Sequence, residues 1–164
     1  MFVVPSAAQE LSHLQTLRSL ASLDTAHDST LDDLVRVAAH AFHCPIALIS
    51  LVGADRQWFK ASFGPVLPHG ATCLPLCAQA LQYNEVFVVS DASLVPQYAD
   101  LPLVNGPMGV RFYAGVSLRV DGHKVGTLCV LDHKPRALDA DERTLRVDLA
   151  HAVAHWFSSR RRQM

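Results

Sequence analysis

Residues 110–132 read Val-Arg-Phe-Tyr-Ala-Gly-Val-Ser-Leu-Arg-Val-Asp-Gly-His-Lys-Val-Gly-Thr-Leu-Cys-Val-Leu-Asp, and this stretch decides the fold. Two apolar-rich runs, Val110 to Val120 and Val125 to Asp132, flank Asp121-Gly122. That dipeptide accepts the positive φ angles of a tight hairpin turn, so the runs pair as antiparallel strands. In the first run Arg111, Tyr113, Gly115 and Ser117 alternate with Phe112, Ala114, Val116 and Leu118. The second set is uniformly apolar and is expected to meet a layer of helices, which leaves the first set for the opposite face.

Outward from the hairpin, Asp139 and Glu142 have the spacing of a helix cap and its third residue, and Leu145, Leu149, Ala152, Val153 and Trp156 follow as a stripe. They predict a long carboxy-terminal helix, whose end at Arg160-Arg161-Arg162 suits the negative pole of the helix dipole. Upstream, Val86 to Ser90 reads as a strand. Residues 91–109 hold Pro96, Pro102, Gly106, Pro107 and Gly109, which predicts a lid-like excursion with at most one helical turn. Residues 64–75 read as a loop, and Pro75 is placed to open a short helix through about Tyr83. Before it, Ile46 to Val52, the turn Gly53-Ala54-Asp55 and Arg56 to Ala61 predict strand, turn and strand. Leu31, Leu34, Val35, Ala38, Ala39 and Phe42 form the stripe of a helix that stops before Pro45. A capping pattern at Ser6 and Gln9 predicts a first helix over 7–22.

The chain has 164 residues, 50% hydrophobic and 18% charged, which suits one domain with a sizeable core. Lys and Arg number 14 against 15 Asp and Glu, a formal net charge of -1, so the electrostatic attraction that nucleic-acid binding requires is missing. The longest apolar stretch, Pro45 to Val52 with Ser50 inside it, falls short of the roughly 18 residues that span a bilayer. No membrane segment or secretory signal is expected, and the cytosol is the expected location. Cys44, Cys73, Cys77 and Cys129 are too sparse for a disulfide scaffold and lack paired zinc spacing, so reduced thiols are expected.

The predicted class is α+β: a central, mostly antiparallel sheet of about five or six strands, with amino- and carboxy-terminal helices on one face and a loop-covered pocket on the other. Residues 64–83 and 91–109 are the material available to close that pocket.

Five strings stand in register over most of the chain: Ile49-Ser50-Leu51-Val52, Asp55 to Ala61, Val89-Ser90-Asp91-Ala92, Arg111 to Gly115, and Gly126 to Asp132. Together they resemble the bacterial GAF domain over about residues 15–158, within a single domain spanning 1–164. The resemblance implies a sheet backed by terminal helices, a small-molecule pocket on its other face, and a regulatory role beside a histidine kinase or a cyclic-dinucleotide enzyme. Where such domains commonly read Ser-Phe-Cys at the pocket helix, this chain reads Pro75-Leu76-Cys77. The Asn-Lys-Phe-Asp-Glu signature of cyclic-nucleotide-binding members and the Cys-His pair of bilin attachment are both missing, and no cofactor is specified.

Expected ligand-binding residues are Arg56, Trp58, Lys60, Cys77, Arg111, Tyr113, Ser117 and Cys129. Alternation places Arg56, Trp58, Lys60 and Ser62 together, opposite Gln57, Phe59 and Ala61. With Arg111 and Tyr113 they offer cationic and aromatic chemistry suited to an anionic or planar ligand. Arg56 and Lys60 can equally be solvated, and Asp55 and Asp91 read as turn residues. Cys77, in the first turn of its helix with Cys73 four residues back, supports an alternative: a thiol reductase, as the family includes an enzyme acting on free methionine sulfoxide. Cys77 and Cys129 can also be buried small hydrophobes. His40, His43 and Cys44 close one helix while His151 and His155 lie a turn apart on another, but no metal is expected from scattered histidines. The reading is therefore a small-molecule sensor, homodimeric through its terminal helices, with a pocketless interaction module as a further alternative.

Overall fold

The computed structural model describes residues 29–52, 57–64 and 74–162. The helix expected over 7–22, the turn at Gly53-Ala54-Asp55, and the candidate residues Arg56 and Cys73 lie outside them. The elements in order are α1 (Ser29–Ala41), β1 (Ile46–Val52), β2 (Gln57–Phe63), α2 (Leu74–Ala80), β3 (Phe87–Val89), a 3-10 turn (Ala92–Leu94), α3 (Pro96–Ala99), α4 (Pro102–Asn105), β4 (Phe112–Val120), β5 (His123–Asp132) and α5 (Ala140–Arg162).

The five strands form one sheet in the order β2-β1-β5-β4-β3, with every neighbouring pair antiparallel. The β4–β5 hairpin closes with Val120 opposite His123, and its two turn residues take φ of 50° at Asp121 and 81° at Gly122. Those values need residues that tolerate the left-handed region, as Asp-Gly does. β1 lies between β2 and β5 and is buried along its whole length, which is why its sequence is a continuous apolar run rather than an alternating one.

Each face of the sheet carries its own core. On one face Leu31 and Val35 of α1, Phe42 just beyond it, and Val153 and Phe157 of α5 pack on Ile49, Leu51, Phe112, Ala114, Val116 and Leu118. This is the helical layer that alternation in β4 predicts. On the other face Leu76, Cys77 and Ala80 of α2, Tyr98 of α3 and Leu103 of α4 pack on Leu48, Tyr113, Cys129 and Leu131.

Three local expectations are corrected. Residues 91–109 contain three short helical segments rather than at most one turn. Pro96 and Pro102 act there as helix openers, occupying positions where a missing N–H costs nothing. On α5 the buried face is Arg146, Ala150, Val153 and Phe157, whereas Leu145 is 41% exposed and Ala152 is also exposed. The helix is rotated from its expected stripe because a buried arginine occupies one of the inward positions. In β2 a bulge breaks the ladder at Lys60: Ile49 faces Ala61, but Ser50 faces Phe59. The residues before the bulge therefore exchange faces relative to simple alternation. Trp58 becomes the partner of Leu51, a helix-side residue, and Gln57 moves to the opposite face.

The expected capping box on α5 is present. Asp139 accepts from the Glu142 amide at 2.8 Å, and Glu142 accepts from the Asp139 amide at 3.2 Å. Among the described residues no helix is long and apolar enough to cross a membrane.

Candidate functional site

Helix α2 covers the face of the sheet away from α1 and α5, and its fourth residue, Cys77, is fully buried. The Cys77 sulfur accepts hydrogen bonds from Gln57 Nε2 at 3.3 Å, the Tyr113 hydroxyl at 3.3 Å and Thr127 Oγ1 at 3.4 Å. Gln57 Nε2 also donates to Ser50 Oγ at 3.2 Å, and the Ser50 and Thr127 hydroxyls are 3.2 Å apart. β2, β4 and β5 thus each send one polar side chain to a single sulfur on the covering helix, and β1 adds Ser50, which is bonded to two of them. Polar groups in an apolar layer are costly unless mutually satisfied, so the cluster ties α2 to one position over the sheet.

Local sequence explains the geometry. Gly115 lies two residues beyond Tyr113 on the same face, and a Cβ there would strike the phenol ring. The glycine is what lets the Tyr113 side chain lie along its own strand toward Cys77. Cys129 is the cross-strand partner of Gly115, and Ser117 is the partner of Thr127. Both belong to this face; Cys129 is fully buried and Ser117 half-buried.

The far end of α2 is held by Lys124, whose ammonium donates to the carbonyls of Leu81 at 3.0 Å and Tyr83 at 3.2 Å. A cation there complements the unpaired carbonyls and negative pole of the helix. Desolvation and the neighbouring Arg119 both lower the Lys124 pKa.

Of the residues expected to bind a ligand, the structure brings Cys77, Tyr113, Ser117 and Cys129 onto one face. Arg111 instead points its guanidinium at the carbonyls of Val104, at 3.0 Å, and Val110, at 3.1 Å, anchoring α4. Lys60 is half-buried at the bulge, and Trp58 is set by register beside Leu51. Asp91 has a turn role, capping the 3-10 segment by accepting from the Ser93 amide at 3.0 Å. Ser50, Gln57 and Thr127 went unrecognised in the sequence. Ser50 was legible as the single polar residue inside an apolar run, while Gln57 was concealed by the bulge.

Two further polar groups are structural in character. Arg136 Nη1 donates to the carbonyl of Phe42 at 2.5 Å and to the Cys44 sulfur at 2.8 Å, and it pairs with Asp132 at 3.5 Å. It fastens the end of α1 to the end of β5. Burial pushes the Cys44 thiol up to about 11, against the opposing pull of Arg136. Arg146 is fully buried on the helical side and donates through Nη2 to the carbonyls of Ala114 and of Leu128, the latter at 3.2 Å. Its guanidinium lies 5.2 Å from the Phe42 ring centroid, while Nε and Nη1 have no hydrogen-bond partner. Desolvation pulls its pKa down to about 10. Among the described residues no group of three or more His, Cys, Asp or Glu side chains is placed to hold a metal ion.

The model of the family described as GAF domain matches residues 27–155. A cyclic di-GMP phosphodiesterase of Pseudomonas aeruginosa is 36% identical over 137 residues, covering 83% of this chain and 23% of that protein. The chain therefore spans less than a quarter of the length of that relative. Among solved structures, a domain described as part of a two-component sensor histidine kinase protein from Sinorhizobium meliloti 1021 superposes with a TM-score of 0.67 at 14% identity, over 85% of this chain and 97% of that one. The free methionine-R-sulfoxide reductase of Neisseria meningitidis superposes with a TM-score of 0.63 at 19% identity, over 99% of this chain and 98% of that one. At such identities the two superpositions establish a shared fold.

Proposed function

The chain belongs to the GAF domain family, a signalling and sensory fold, and from that membership we propose that it is a small-molecule sensor whose response is carried by helix α2. The observation that carries the proposal is the convergence of Gln57, Tyr113 and Thr127 on the Cys77 sulfur. A ligand bearing its own hydrogen-bond acceptor can replace that sulfur, satisfy the same three donors and free α2 from the sheet. Tyr113, Ser117, Cys129 and Cys77 are the residues proposed to meet it. Arg111 is left out because its guanidinium already serves two carbonyls.

The route outward runs through β4 and β5. On the opposite face Arg146 of α5 is bonded to Ala114 and Leu128, the immediate neighbours of Tyr113 and Thr127. A change in how the two strands are loaded therefore reaches the last helix directly. The proposed output is a change in the activity of a cytoplasmic signalling partner, a cyclic-dinucleotide enzyme or a histidine kinase. Homodimerisation through the terminal helices is part of the proposal, and Leu145 on α5, 41% exposed, supports it. The test is a thermal-shift screen of polar metabolites. A ligand at 100 times its dissociation constant raises stability by about 2.7 kcal/mol, and Tyr113→Phe and Thr127→Val should abolish the shift.

A second reading rests on the same sulfur. Donors around a cysteine favour thiolate chemistry, and a reductase of this fold exists. It would reduce a free sulfoxide to the sulfide, with two thiols oxidised to a disulfide and the oxygen leaving as water. Turnover of free methionine sulfoxide that disappears in Cys77→Ser would support it; no turnover in the native protein removes it.

A further inference from the structure

The β3 edge of the sheet holds a second concavity, separate from the Cys77 cluster. Among the described residues β3 pairs with β4 alone, and beside its other edge a groove of about 460 Å³ runs between the end of α2 and α3. That volume is within the range of small-molecule sites. Three observations describe what would fit there.

The first is an aromatic platform. Tyr83 and Phe87 line the groove and stack with ring centroids 5.0 Å apart and planes inclined by 21°. Tyr83 remains 43% exposed, so the stack has room for a further flat ring. The second is an unanswered polar group. Tyr98 also lines the groove and is 4% exposed, yet its hydroxyl is buried with no hydrogen-bond partner. Such groups are rare because each forfeits its bonds to water. The third is the charge pattern. Asp91 is the one charged residue of the lining among the described residues. Among the described residues, Lys124 is bonded to the Leu81 and Tyr83 carbonyls, Arg111 to those of Val104 and Val110, Arg136 to that of Phe42 and to Asp132, and Arg119 to Asn84 Oδ1 at 3.4 Å.

We propose that this groove is a ligand site for a planar aromatic compound carrying a protonated amine. The ring extends the Tyr83–Phe87 stack, the ammonium group pairs with the Asp91 carboxylate, and a small turn of the Tyr98 side chain, whose hydroxyl is enclosed in the free protein, brings that hydroxyl to a polar edge of the ligand. Anionic compounds, phosphorylated nucleotides included, are repelled by the same carboxylate. The site goes beyond the sensor function proposed above and does not depend on it.

The experiment is a titration of the full chain, followed by amide chemical shifts, with three probes: tryptamine, indole-3-acetate, which has the same ring and opposite charge, and putrescine, which has the charge without the ring. Tryptamine is expected to move the amides of Val88 and Gln97 saturably, and the other two probes to leave them in place. Asp91→Asn, which keeps a side-chain cap for the 3-10 turn, should weaken tryptamine about tenfold. Tyr98→Phe should also weaken it by about tenfold while raising the melting temperature of the free protein, a pair of opposite effects that a purely structural tyrosine would not give. The proposal is overturned if tryptamine moves neither amide at millimolar concentration, if indole-3-acetate binds equally well, or if Tyr98→Phe leaves affinity unchanged. Shifts confined to Gly115 and Thr127 would also overturn it, because they place the ligand at the Cys77 cluster instead.

Discussion

The Tyr113 hydroxyl and the Cys77 sulfur lie 3.3 Å apart across 36 positions of sequence, one on the sheet and one on the helix that covers it. The contact joins the strand whose other face meets the terminal helix to the helix proposed to carry the response. Because Gln57 and Thr127 converge on the same atom, the loss of one member should be felt by the others.

Tyr113→Phe is expected to destabilise the protein by about 1 kcal/mol, the worth of one buried hydrogen bond. Cys77→Ala should cost about 2–3 kcal/mol, since it removes packing and deprives three donors of an acceptor at once. Urea denaturation of the two single variants and the double variant should give a coupling of about 0.5–1.5 kcal/mol. Simple additivity would mean that the two groups do not act together.

Arg146 presents an ionised group to an apolar layer, with no carboxylate within ion-pair distance among the described residues. Arg146→Met keeps the volume and removes the desolvation cost, so it should be neutral or stabilising by about 1–3 kcal/mol. Arg146→Ala leaves a cavity under α5 and should cost about 3 kcal/mol or more. Opposite signs in urea denaturation confirm this assignment; equal losses in both variants would show that the guanidinium itself holds the helix.

Cys44 makes a pH-dependent contribution whose sign follows from its raised pKa. The native thiol, near 11, keeps its proton where the unfolded thiol, near 9.0, loses it, so the native state binds more protons between those values. Its stabilising contribution is complete below pH 9 and is lost as pH rises toward 11. The difference in urea midpoint between wild type and Cys44→Ala should therefore shrink across that window. Arg146, whose native pKa is near 10, contributes an opposing rise as the guanidinium discharges, and taking the difference removes it apart from the Coulomb interaction between the two groups.

Lys124→Met should release the end of α2 without unfolding the domain. The Leu81 amide is bonded to the Cys77 carbonyl at 3.1 Å and the Tyr83 amide to that of Ala80 at 3.2 Å. Hydrogen exchange at both should accelerate by about three- to tenfold, equivalent to roughly 1 kcal/mol, while α5 amides are unchanged. Uniform acceleration would mean that Lys124 supports the whole fold rather than this helix.

How much of this was legible in the sequence depended on whether the signal was local. Asp121-Gly122 and the Asp139–Glu142 pair act within a few residues, and both features were readable. The two faces of β4 were readable as well, since its ladders run unbroken from Phe112 to Leu118. The bulge at Lys60 arises from pairing with β1, which no property of residues 57–63 announces, and it reversed the faces of Gln57 and Trp58. Arg146 reads as one more charge in the polar first turns of α5; its burial follows from the carbonyls of two strands that lie elsewhere in the chain. The Cys77 cluster was half legible: its cysteine and tyrosine drew notice by residue type, while the hydroxyls and amide that complete it are ordinary strand residues until the sheet assembles them.

The most direct measurement is native mass spectrometry of the full chain after incubation with a metabolite extract. The account predicts a stoichiometric small-molecule adduct on the wild type that persists in Tyr98→Phe and is lost in both Tyr113→Phe and Thr127→Val. Bare protein under every condition, or an adduct indifferent to Tyr113 and Thr127, would contradict it.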